Sequence, residues 1–138
     1  MRRSDQRRAA VIAAYQHDLT GQTLEHTLGR SAGPFTSALA QGAVEHADEF
    51  DELIGRHSRG WTVARIAPLE RSILRVALVE MLHGEEVPAE EPISPEGAID
   101  EAVESAKIFC GADAPGFVNG ILDAILREVR ENAAHERT

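Results

Sequence analysis

The residues that could do chemistry are few, and their spacing argues against catalysis. Six histidines stand at His17, His26, His46, His57, His83 and His135, with no His-x-x-x-His pair among them. A zinc site needs convergent ligands that usually come as close pairs in sequence, so neither a metal nor another cofactor is expected. The single cysteine, Cys110, falls on the apolar stripe of a predicted helix, where a small core residue is expected rather than a nucleophile. The carboxylates between Glu85 and Glu104 have nothing apolar around them in sequence that would shift a pKa, so they read as a solvated face and not as an acid–base pair. There is no Walker-type loop and no strand–Gly-x-Gly-x-x-Gly–helix unit. The chain reads as a binding protein, not an enzyme.

Cationic chemistry is concentrated at one place. Arg2, Arg3, Arg7 and Arg8 lie in the first ten residues against Asp5 alone. Positive charge at a helix start opposes the macrodipole by a few tenths of a kcal/mol, and a bound phosphate would compensate it; an ordinary solvated terminus is the alternative. The formal net charge of −9 does not exclude such a contact, because screening over about 8 Å makes attraction local. The acids gather instead at Glu45 to Glu52 and Glu85 to Glu104. A second candidate is Phe117-Val118-Asn119-Gly120. Phe117 would either stack on a base or join the core. Gly120 costs ~1 kcal/mol inside a helix, which predicts close approach of another helix there.

The elements that must position these residues are helices. Hydrophobic residues make up 43% of 138 residues but aromatics only 4%, so the core is built from Ala, Leu, Ile and Val, with good helix formers dominant. One domain is expected over 1–138, with a polar, frayed tail from about 131. Apolar periodicity predicts about seven helical segments and no strand. The first runs from a Ser4 cap to about Leu19, with Ile12, Tyr15 and Leu19 on one face and Gly21 as its stop. A short one covers Leu24 to Leu28, a single long one Phe35 to Ile54, and another short one Trp61 to Ile66. Leu69 to His83 is apolar nearly all round, which places it at the centre. Gly84 to Gly97 reads as a solvated connector, Ser94-Pro95 as a helix start, and the last helix begins near Pro115. No stretch approaches the ~20 apolar residues that span a bilayer, no secretory leader is seen, and one cysteine suits a reducing compartment. A cytoplasmic protein is expected.

Five segments in order now carry a resemblance. Arg-Arg followed by Ala10-Val-Ile-Ala-Ala-Tyr15, Leu69-Glu-Arg-Ser-Ile-Leu-Arg75, Val87-Pro88, Ile99-Asp-Glu-Ala-Val-Glu-Ser-Ala-Lys107 and Phe117-Val-Asn-Gly-Ile-Leu-Asp123 together resemble the bacterial transcription antitermination factor NusB family. The resemblance covers essentially the whole chain. It implies an all-α fold of two small helical bundles packed across each other, with no catalysis and no cofactor. It implies binding of single-stranded boxA RNA in ribosomal RNA leader transcripts, with NusE (a small-subunit ribosomal protein) as partner, within the RNA polymerase antitermination complex. By matched position, Arg2, Arg3, Arg7 and Arg8 fall in the family's Arg-rich RNA-binding start, and Lys107, Phe109, Asp113 and Phe117 on its RNA-facing side. Tyr15, Leu19 and Glu70 match the NusE interface, through which some relatives form homodimers instead. The connector is longer than usual, with Glu90, Glu91, Pro92 and Pro95 added, and should point away from RNA. A protein-interaction module without RNA binding of its own is the alternative reading.

Overall fold

A computed structural model describes residues 1–60 and 62–136. Seven α-helices follow one another: α1 Arg3–Thr20, α2 Leu24–Leu28, α3 Pro34–Glu45, α4 Ala47–His57, α5 Pro68–Leu82, α6 Pro95–Phe109 and α7 Ala114–Glu136, with 3-10 turns at Val63–Arg65 and Gly84–Glu86. Among the described residues there is no strand, and no helix is long and apolar enough to cross a membrane.

Local chemistry explains most of the boundaries. Pro34, Pro68 and Pro95 open α3, α5 and α6, where proline's fixed φ suits the first turn and its missing N–H is not needed. The Ser94 hydroxyl accepts the Gly97 N–H at 3.0 Å, and the Thr23 hydroxyl accepts that of His26 at 3.2 Å. Gly21 ends α1 at φ 73° and returns its N–H to His17, a left-handed cap that glycine adopts without strain.

The helices form two bundles with a common wall. α1, α2 and α3 pack together on one side of α5, while α6 and α7 pack with α4 on the other. α5 accordingly buries Ile73, Leu74, Val76, Ala77, Leu78 and Val79, as its all-round apolar sequence predicts. α3 crosses it closely at Gly42, where a Cβ would lie 2.8 Å from Val79 Cγ1.

Five expectations need correction. Ser4 does not cap the first helix: it lies inside α1, whose N-cap residue is Arg2 with no side-chain cap bond, and its hydroxyl turns to Glu101 instead. The predicted helix over Phe35 to Ile54 is two helices, broken at His46 (φ −98°, ψ 16°), so that α3 can serve one bundle and α4 the other. The predicted helix over Trp61 to Ile66 is a single 3-10 turn at Val63–Arg65, and Trp61 lies outside the described residues. The polar tail is helical through Glu136. Gly120 meets nothing within 4 Å of a would-be Cβ; it opens onto a surface cleft, and the close helix approach occurs at Gly42 instead.

Candidate nucleic-acid interface

The arginines of α1 divide into two kinds. Arg2 is the N-cap residue and its side chain is 83% exposed, touching only Asp5 at 3.5 Å. Arg3 is also exposed; its guanidinium donates to Gln6 Oε1 at 2.8 Å and lies 4.1 Å from the centre of the Phe35 ring. That ring belongs to the start of α3 and is buried, so it is a fixed platform under a solvent-facing cation.

Arg7, by contrast, is turned into the fold. Its Nε and Nη2 donate to the two oxygens of Glu80 at 2.6 and 3.0 Å, and Nη1 lies 3.5 Å from Glu101. The Arg7 and Glu80 side chains are only 12% and 6% exposed. Burial works against the charge, but the hydrogen bonds and charges of Glu80 and Glu101 outweigh it and raise the pKa of Arg7. Ser4 adds a hydrogen bond to Glu101 at 2.8 Å, so α1 is tied to both α5 and α6. Arg8 is likewise mostly covered and reaches Asp5 at 3.4 Å.

The second group sits where α6 hands over to α7. Lys107 is exposed, 3.7 Å from Glu104; Phe109 ends α6 and leans on the core. The Asp113 carbonyl accepts the Phe117 N–H at 3.2 Å and starts α7. Phe117 is half-buried and forms the wall between two clefts. One is lined by Arg65, Ile66, Glu70 and Asp113, the other by Arg56, Arg59, Gly120 and Arg127. Arg59 and Arg65 are exposed and form no ion pair with another described residue. Sequence reasoning missed both, since each lies in a turn whose approach to Phe117 depends on how α4 and α5 pack. A Ser58-Arg59-Gly60 turn was the available signal.

The residues matched to a protein partner are split. Tyr15 and Leu19 lie toward the C-terminal end of α1, with Leu19 59% exposed. Asp18 beside them pairs with Arg71 at 3.0 Å, which brings this end of α1 to the start of α5. Glu70 shares its cleft with Asp113 and Phe117, and burial pushes its carboxyl up from the ordinary value. Burial, then the charge of Glu70, raises the Cys110 thiol, which makes it a poor nucleophile.

Glu96 lies on the solvated face expected of it, and there it accepts from Arg130 at 2.7 Å, a hydrogen bond that holds its carboxyl low. His46 and His83, 37 positions apart in sequence, stack face to face with centroids 3.9 Å apart; sequence spacing is blind to such convergence.

Seven described helices in two bundles, with exposed arginines at the start of the first, define an all-α, two-bundle fold class. The NusB family profile matches residues 4–127, and the chain belongs to the NusB family. A T. maritima NusB structure is 31% identical with TM-score 0.78, the match covering 93% of this chain and 92% of that one. A NusB solution structure from Aquifex aeolicus is 28% identical with TM-score 0.70, covering 92% and 89%. A structure of antitermination factors NusB and NusE in complex with dsRNA is 25% identical with TM-score 0.75, covering 93% and 99%.

Proposed function

We propose that this chain is a transcription antitermination factor that binds single-stranded boxA RNA of ribosomal RNA leader transcripts together with NusE, as part of the antitermination complex on RNA polymerase. The observation that carries this reading is the exposed Arg2–Arg3 pair, mounted on a helix that Arg7 anchors through Glu80 and Glu101. A phosphate needs an available cation on a rigid support, and this end of α1 supplies both. The relative described as a NusB–NusE complex with dsRNA supports RNA and NusE as ligand classes.

Within this reading Arg2 and Arg3 contact phosphate, Arg7 and Arg8 position them, and Lys107 extends the cationic track. Phe117 offers a ring face for base stacking next to Arg59 and Arg65, with Phe109 and Asp113 shaping that corner. Tyr15, Leu19 and Glu70 meet NusE. Loss of two phosphate contacts on a single strand should flatten the log–log salt dependence by about 1.4 units.

The test is a titration of labelled boxA RNA, with and without purified NusE, read by fluorescence anisotropy. Saturable binding that tightens with NusE and weakens in the Arg2→Ala/Arg3→Ala variant is expected. No binding in either arm would leave a protein-interaction module and overturn the proposal.

A further inference from the structure

A cavity of about 620 Å³ opens beside Arg3, between α1, α2 and the start of α3. Ala9, Ile12 and Ala13 of α1, Leu28 of α2, Ala32 in the turn that follows and Pro34 of α3 wall it. Three alanines leave the space: a longer side chain at any of them would take it up. Two hydroxyls brace the walls. Thr27 donates to the Ala13 carbonyl at 3.0 Å and Thr36 to the Gln6 carbonyl at 3.3 Å. α2 and α3 are thus each tied to α1, and the space is built before any ligand arrives, which lowers the ordering cost of filling it. A volume of this size with a mostly apolar lining and a few polar groups has the character of a small-molecule site.

We propose that this cavity receives one unpaired base of the bound RNA strand, with Arg3 and Arg2 holding that nucleotide's phosphate at the mouth. The inference rests on the RNA-binding reading above and adds to it a base subsite that shares no residue with the clefts beside Phe117. Charge selects the occupant. In a chain of net charge −9, Arg3 is the one charged residue among those lining the cavity, and no carboxylate lines it. The Phe117 clefts differ, since Glu70 and Asp113 line one and Asp123 the other. A planar, apolar-faced group joined to an anion matches an apolar chamber with a single cation. Arg3 spends one N–H on Gln6, which leaves donors of its five for a phosphate. Its guanidinium stands 4.1 Å from the centre of the buried Phe35 ring, and a guanidinium so supported is also a surface on which bases stack. Ser31 and Thr36 line the cavity with hydroxyl oxygens that can meet the base edge. Only a splayed base can enter. A duplex keeps its bases stacked inside and extracting one costs unpairing energy, so this subsite favours a single strand.

The experiment fills the cavity and removes bases one at a time. Ala9→Leu places a larger apolar side chain at an exposed position of α1 that lines the cavity, and it leaves Arg2 and Arg3 in place. Labelled boxA RNA is titrated against the full chain and the variant, each with NusE present, at several salt concentrations. Ala9→Leu should weaken binding at least about fivefold, the loss of one stacked base, with the log–log salt slope held within about 0.3 because no phosphate contact is lost. Arg2→Ala/Arg3→Ala should instead flatten the slope. A set of boxA strands, each with a single abasic position, then locates the base. One position should cost the wild type at least about fivefold and Ala9→Leu less than about twofold, whereas a base stacked on Phe117 should stay equally sensitive in both proteins. Circular dichroism checks the fold, and Ala32→Leu, from the opposite wall, serves if Ala9→Leu loses helix. Filled variants that bind like wild type, or abasic penalties that are the same at every position in both proteins, would overturn the base subsite while leaving RNA binding intact. No RNA binding by the wild type would remove the functional reading and the subsite together.

Discussion

Replacing Arg7 separates a structural arginine from a ligand-facing one. In Arg7→Ala the two donors to Glu80 vanish, and a carboxylate whose side chain is 6% exposed is left without its bidentate partner. Breaking a buried pair on one side costs about 3–5 kcal/mol, most of it the penalty on the stranded charge. Arg7 itself keeps some contact with water, so the lower end, about 3 kcal/mol, is expected. With a urea m-value of about 2 kcal/mol/M, the midpoint should fall by about 1.5 M. The double variant Arg7→Met/Glu80→Leu should recover most of that loss, because both charges leave together. Arg2→Ala/Arg3→Ala should stay within about 0.5 kcal/mol of wild type, as exposed substitutions do. RNA titration below the unfolding range supplies the other half. The Arg2/Arg3 variant should flatten the salt dependence by about 1.4 units, and Arg7→Ala by less than about 0.3. An Arg7→Ala protein as stable as wild type, or one whose salt dependence flattens as much as the Arg2/Arg3 variant, would refute the division of labour.

Three further outcomes follow from the packing and titration of single residues. Gly42→Ala puts a methyl 2.8 Å from Val79 at the buried α3–α5 crossing; overpacking should destabilise by about 2 kcal/mol in urea melts, and Gly42→Ala combined with Val79→Ala should restore part of it. Glu128 accepts from Arg56 and from His57 (at 2.9 Å), which hold its pKa below the usual carboxylate value. Its stabilisation is therefore full above the unfolded pKa near 4.5 and lost as pH falls through the lower folded value. Glu128→Gln should accordingly lose less stability than wild type between pH 5 and about 3, measured as thermal midpoints. Cys110, raised by burial, should alkylate with iodoacetamide at pH 8 several-fold more slowly than an unfolded control, and equal rates would contradict its placement.

What could be read from sequence was whatever depends on neighbours in the chain. The Ser94-Pro95 start, the Gly21 stop and the apolar belt of α5 are local patterns, and the structure has them where periodicity and capping put them. The break at His46 has no such signature: no proline or glycine marks it, and the apolar spacing of Phe35 to Ile54 runs through it. It exists because α3 and α4 serve different bundles, a tertiary demand. The same reason hid the fate of Arg7. Glu80 is 73 residues away, so an arginine run that looks uniform in sequence is split by α5 and α6 into anchors and free cations. The meeting of His46 with His83, and of Arg59 and Arg65 with Phe117, are likewise products of packing. Polar composition misled at the C-terminus, where α7 continues through Glu136 as an extension of a helix already nucleated in the core.

Because α5 is a party wall, neither bundle owns a closed interior. Severing the chain in the 84–94 connector would leave one fragment with the bare far side of α5 and the other with α6 and α7 exposing the stripe that covers it. Each piece would present a broad greasy face and seek its complement, so the fragments should reassociate rather than live apart. For the intact protein, heat or denaturant should meet one all-or-none collapse instead of two successive ones.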